Sequence, residues 1–391
     1  MACSLQTRMM EVVWRREPFR IFFPLGIALA WIGIGHWVAY AAGWIGTYSC
    51  TAHGLVQIQG FLLAFALGFL LTAIPRRTAS EPASAIGIVA SALALVVATA
   101  AAFLERWWLA EGATLAVLTG LVGFARTRFV AGGGGRRPPA AFVLLPLGLA
   151  CAMGGGALVA WGSAPGGPIG ALVLGRLLVT QGTFFCLVMG AGALVLPLMS
   201  GESPPPDLGT SPRVTHVAAA YLSAGIAVVG TLLAEAFGSD RIAPVLRGLV
   251  VAATLARGAG LGNPLAVTGT NRRVARLAAW LVPAGPLLAG LVPDYRVPAL
   301  HVTFVGGFGL LALSVATHVT ASHCEGLPVI RDGRSTIVRV VAGGILLAAI
   351  GRVSADATAT YFEHLALAAL LWIAATALWG MRLTRAWMGR R

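Results

Sequence analysis

Lysine is absent from this chain, and charge of either sign is scarce: 11% of the 391 residues are charged against 58% hydrophobic, with a mean hydropathy of +0.83. So little charge leaves nothing to solvate a separate soluble domain, and the composition is that of a polytopic membrane protein. Cysteine is sparse as well. The five (Cys3, Cys50, Cys151, Cys186 and Cys324) are spread over the chain, only Cys50 is expected on the outer side, and no structural disulfide follows. A signal-peptide cleavage pattern is missing too. The first apolar run begins near Phe19, after Arg8, Arg15, Arg16 and Arg20, and no small-residue motif ends it, so it reads as a retained span. Acids are too few to balance the arginines, which leaves a net charge of +14. In a soluble protein that excess would indicate nucleic acid; here the placement of the arginines points to the bilayer, and no nucleic-acid partner is expected.

Hydropathy divides the chain into twelve spans at about 19–40, 54–74, 83–104, 107–125, 140–161, 170–198, 214–237, 242–260, 275–292, 298–320, 335–351 and 358–381. Of the 28 arginines, 22 fall in segments on the side of the N-terminus, four (Arg106, Arg241, Arg296 and Arg352) on the other, and Arg176 and Arg247 inside spans. This asymmetry follows the positive-inside rule, so both termini are expected in the cytoplasm. The expected fold is all-α, one twelve-helix membrane domain over residues 1–391 with flexible cytoplasmic loops at 126–139 and 200–213. The second loop, SGESPPPDLGTSPR, would link two six-helix halves, which share no convincing internal pattern.

Seven histidines are present, and three of them lie in PALHVTFVGGFGLLALSVATHVTASHC, from Pro298 to Cys324. His301 and His323 are roughly 33 Å apart along a helix, about one hydrocarbon thickness, so imidazole stands at each face of one span. An outer layer collects His36, His53, Arg176, Glu235, Arg247, His301, Glu363 and His364; an inner one collects His216, His318, His323 and Cys324. Ionisable groups in hydrocarbon cost about 3 kcal/mol each, which makes the outer layer a functional candidate. Single histidines here are as often interfacial residues with a satisfied hydrogen bond, and the tryptophans near His36 read as an aromatic belt. A haem would account for histidines of separate helices near buried arginines: the imidazoles would ligate iron while Arg176 and Arg247 lie near the propionates. Copper would also accept imidazole, with Cys50 three residues before His53 as a weak C-x-x-H signal. His318 and His323 are five residues apart, about 140° around a helix, and can share a ligand only if the helix ends between them.

HVTFVGGFGLLALSVATHVTASHCEG resembles the NnrS family, whose corresponding helix reads HALTVGAIGTM followed by TRVALGHTGRP. TAHGLVQIQGFLLAFALGFLLTAIPRRT is similar to that family's HAHEM segment followed by GFLLTAVPNWT, and Pro18-Phe19-Arg20 and MGAGALVLPL echo it further. The resemblance implies a bacterial inner-membrane protein with a b-type haem, and in described members copper, linked to nitric oxide and nitrosative stress. It places His53 on the second histidine of the HAHEM segment, His301 on the histidine opening span 10, and His323 on that of the HTG segment. Thr51, Gly54 and Leu55 depart from the HAHEM pattern, His318 stands where the family has Arg, and the family's His-x-Gly-Tyr is not found around Trp280; these departures bear on copper more than on haem.

The architecture also resembles haem–copper oxidase main subunits, which hold a haem between histidines of spans 2 and 10 near the outer face, where His53 and His301 stand. Span 6 carries no histidine, so an oxidase-like copper centre is not expected, and a haem with two imidazole ligands favours electron transfer or sensing. The expectation is therefore a haem-binding membrane protein with His53 and His301 as axial ligands, and His36, His364, His318 and His323 as further candidate metal ligands. The competing class is a twelve-span secondary transporter in which Arg176, Arg247, Glu235 and Glu363 bind an anion or proton.

Overall fold

The computed structural model of the chain describes residues 13–131, 137–202, 205–263, 269–324, 327, 330 and 333–388; Cys3, Arg8, Arg331 and the glycine run at 132–135 lie outside them. Among the described residues the fold is helical throughout, with a single isolated bridge between Pro139 and Asp207 and no strand. Eleven helices are long and apolar enough to cross a membrane: α1 (Phe19–Ala41), α2 (Cys50–Thr78), α3 (Ala85–Phe103), α4 (Trp107–Phe129), α5 (Ala140–Gly162), α6 (Ile169–Met199), α7 (Pro212–Ala236), α9 (Thr270–Leu291), α10 (Pro293–His323), α11 (Thr336–Ala357) and α12 (Tyr361–Trp387). The twelfth expected span is α8 (Ile242–Gly258), whose 17 residues, including Arg247 and Arg257, rise about 25 Å and pack between α7 and α9. Helix order agrees with the hydropathy reading, and eleven of its twelve spans are helices of membrane-crossing length and polarity among the described residues.

Three helices make the centre. The most apolar windows of α6, α2 and α10 are 83%, 78% and 67% buried, against 22–56% for the other eight. Each of the three contains a π-helical segment: Val56–Leu62 in α2, Leu178–Gly182 in α6 and Val302–Gly309 in α10. A π turn inserts one residue and shifts the bearing of everything beyond it. Here the π segments begin at Val56, Leu178 and Val302, within three residues after His53, Arg176 and His301. Below them, α2, α6 and α10 enclose an apolar cavity of about 120 Å³ lined by Phe65, Phe184 and Phe308 among others.

Close helix approach follows from small residues. A Cβ on Gly155 of α5 would lie 2.9 Å from the Gly175 carbonyl oxygen of α6, so the two backbones touch there, as a small-residue interface in lipid requires. The prolines of α9 do not end that helix. Pro286 removes the N–H that would serve the Val282 carbonyl, and the Thr303 hydroxyl of α10 donates to that oxygen instead, at 2.7 Å. Thr303→Val would strand the carbonyl in hydrocarbon; a loss of about 1–3 kcal/mol is expected in detergent unfolding, and an unchanged midpoint would show that the hydroxyl is not its partner.

Among the described residues, the helix of α4 continues to Ala131, through Arg126 and Arg128, and the second connector meets the first through Leu208 N–H to Pro138 O at 2.8 Å and meets α2 through the Arg77–Asp207 ion pair.

Candidate functional site

Gly33 of α1 sets the geometry of the outer layer. Its carbonyl oxygen lies 2.9 Å from Nδ1 of His36, three residues on, and 2.9 Å from Nδ1 of His53 on α2. A carbonyl can only accept, so both rings carry their proton on Nδ1. Trp37 Nε1, which can only donate, also lies 3.2 Å from the His53 Nδ1; with the proton on Nδ1 it finds no acceptor there, and the indole packs edge-on against the ring at 5.5 Å. On α10, His301 Nδ1 donates to the Val297 carbonyl at 2.8 Å. Nε2 of His53 and Nε2 of His301 are thus unprotonated, and among the described residues neither has a hydrogen-bond partner.

The two rings meet across the helix gap. His53 and His301 are nearly parallel, 13° between planes, with centroids 6.5 Å apart. With a metal–nitrogen bond of about 2 Å and a ring radius of about 1.2 Å, two imidazoles on opposite sides of one metal have centroids about 6.4 Å apart. Beside His53 there is open space: a Cβ on Gly54 would meet nothing within 4 Å. Arg352, at the outer end of α11, bears electrostatically on both rings, pairs with Asp356 at 2.7 Å and lies over Tyr361. A haem is compatible with this donor set: two imidazole rings whose centroids lie at the separation of two ligands on one iron, each ring fixed by a backbone oxygen, with the Arg352 charge acting on both.

The other expected residues fall in different places. His36 stacks on Trp37 at 4.3 Å and lies 5.7 Å from His53, with its Nε2 buried and unpartnered. His364 turns to its own helix start, its Nδ1 within hydrogen-bonding distance of Thr360 and Thr358. Glu363 and Cys50 are exposed. Arg247 pairs with Glu235 of α7 at 2.6 Å, and Arg296 pairs with the same carboxylate. At the inner face the helix runs unbroken from Leu310 to His323, so His318 and His323 point in different directions and do not share a ligand. His323 donates to Val319 O at 2.7 Å and packs edge-on against Phe19, and beside it Arg20 reaches Cys324 Sγ at 3.4 Å. Among the described residues no group of three or more His, Cys, Asp or Glu side chains gathers as a metal cluster.

One buried acid escapes a reading of the sequence. Glu111 of α4 is 5% exposed, accepts from Gln59 Nε2 of the α2 π segment at 2.7 Å, and leaves its second oxygen buried without a partner. Its position one turn into a span was the available signal, masked by the ERWW turn just before it. With one hydrogen bond and no ion pair among the described residues, the carboxyl adds little to stability that an amide would not. Glu111→Gln is expected to melt at or above the wild-type temperature; a drop of more than a few degrees would reveal an unseen cation.

The family model described as NnrS protein matches residues 13–391, nearly the whole chain. No curated protein matches it.

Proposed function

From the premise that the chain belongs to the NnrS family, we propose that it is a haem-binding protein of the bacterial cytoplasmic membrane, both termini inside, serving the nitric oxide response. The observation that carries this reading is the parallel pair His53 and His301 at 6.5 Å. His53 and His301 would ligate the iron, Gly33 and Val297 hold their Nδ1 protons, and Arg352, whose charge acts on both rings, would pair with the acidic groups of the haem. Such a haem supplies one-electron redox change with both axial positions filled, which suits electron transfer or sensing in nitrosative stress more than ligand reduction. The π segments after His53 and His301 hold the two rings in register while α2 and α10 remain continuous spans. A copper ion on the same two nitrogens is the alternative occupant, and metal analysis of the purified protein separates it from iron.

An optical spectrum tests the assignment. The purified chain is expected to show a Soret band that His53→Ala and His301→Ala each abolish or shift, and that His364→Ala leaves intact. A band indifferent to both alanine variants, or no band after expression with haem supplied, would end the axial assignment.

A further inference from the structure

Arg247 is an arginine with no exposure to solvent in the second turn of α8. Its Nη2 meets Glu235 Oε2 at 2.6 Å, and Arg296 from the first turn of α10 takes Oε1, so both oxygens of the carboxylate are engaged. Nε and Nη1 of Arg247 nonetheless remain buried with no acceptor, as does Nε of Arg296. Arg176 of α6 is exposed and near enough to act electrostatically on Arg296. Asp240 and Asp294, the other acids at these helix ends, make no ion pair with the group among the described residues.

Two guanidiniums thus share one carboxylate, an excess of one positive charge, with buried donors on both left without an acceptor among the described residues, and Arg176 adds a third positive charge that acts on Arg296. A structural ion pair would need one arginine for one acid and would not leave buried N–H groups orphaned. Exposure rises across the group: the Arg247 side chain is fully buried, the Arg296 side chain is 34% exposed and Arg176 reaches the surface. The geometry points to an anion site: Arg176, Arg247 and Arg296 bind a phosphate-like oxoanion group entering from the outer face, with Glu235 holding the two deeper arginines in place. Guanidinium forks match the oxygens of such a group, and low dielectric below the surface strengthens the contact. The group comes either as a free oxoanion or as the phosphate of a lipid head group. This site stands whether or not the chain holds a haem.

The full chain, stripped of lipid in neutral detergent, would be melted against increasing sodium phosphate with sodium chloride at matched ionic strength as reference. In parallel it would be melted in nanodiscs of phosphatidylcholine with and without phosphatidylglycerol. The expected result is a saturable rise in melting temperature, with apparent affinity at least about tenfold weaker in Arg176→Gln and in Arg296→Gln. Both side chains reach the surface, so these variants strand no buried charge and fold. A response to phosphate assigns a free oxoanion; a response to phosphatidylglycerol alone assigns a head group. If chloride raises the temperature as phosphate does, or if the two variants respond as the wild type does in both series, the site is overturned.

Discussion

Glu235→Ala unfolds at a free energy about 3–5 kcal/mol below the wild type, the largest stability effect expected of any single polar residue here. The reason is the partner it strands. The Arg247 side chain has 0% exposure and the Glu235 side chain 1%, so neither charge is hydrated, and each is tolerable only through the other. Arg296, 34% exposed, can turn to water when the carboxylate is gone; Arg247 in the second turn of α8 cannot. Arg296→Gln is accordingly expected to cost no more than about 1 kcal/mol. Replacing both members, Arg247→Met with Glu235→Met, should recover much of the loss, since apolar side chains of similar volume need no partner in lipid. Unfolding in mixed detergent micelles, followed by circular dichroism, measures all three. Equal midpoints for Glu235→Ala and Arg296→Gln would mean that Arg247 has another anion beside it.

The sequence shows some parts of this arrangement and hides others for physical reasons. Periodicity and arginine placement give twelve spans because hydrocarbon enforces length and polarity so strictly; α8 differs only in being short. His53 and His301 stand out because imidazole at the head of an apolar run is costly without a purpose. Arg247 stands out likewise, but its partner Glu235 does not, since finding it requires the packing of α7 on α8, which no spacing encodes. Arg352 is hidden for the opposite reason: an arginine at a membrane boundary is ordinary, and only the fold brings it beside both rings. The π segments have no signature in composition, although they reset the bearing of each central helix. Gly33 reads as one more small residue until its carbonyl is seen holding two imidazoles.

On the proposed haem assignment, Gly33→Val is expected to weaken haem binding while leaving both His53 and His301 in the chain. A Cβ at this position would lie 2.2 Å from Gln57 Nε2 and 2.9 Å from Val56 Cγ1. The Gln57 amide is the free end of a flexible chain and can yield, at the cost of its 3.1 Å bond to the Ala30 carbonyl; the Val56 methyl is branched from a buried backbone and cannot. Valine adds two more methyls to that collision, so α1 moves away from α2 and takes the Gly33 oxygen away from the Nδ1 of His53. Overpacking of this kind costs about 1–3 kcal/mol, and loss of the hydrogen bond that aims a metal-bound histidine typically weakens affinity about 10–100-fold. Gly35→Ala is the control, because a Cβ there meets nothing within 4 Å on the same helix. Haem titration monitored at the Soret band should separate the two glycines, and equal affinities would show that the carbonyl does not position the ring. Added imidazole then distinguishes an absent ligand from a misaimed one: it should restore the band in His53→Ala, where it can occupy the vacated space, and fail in Gly33→Val, where the native ring still fills it.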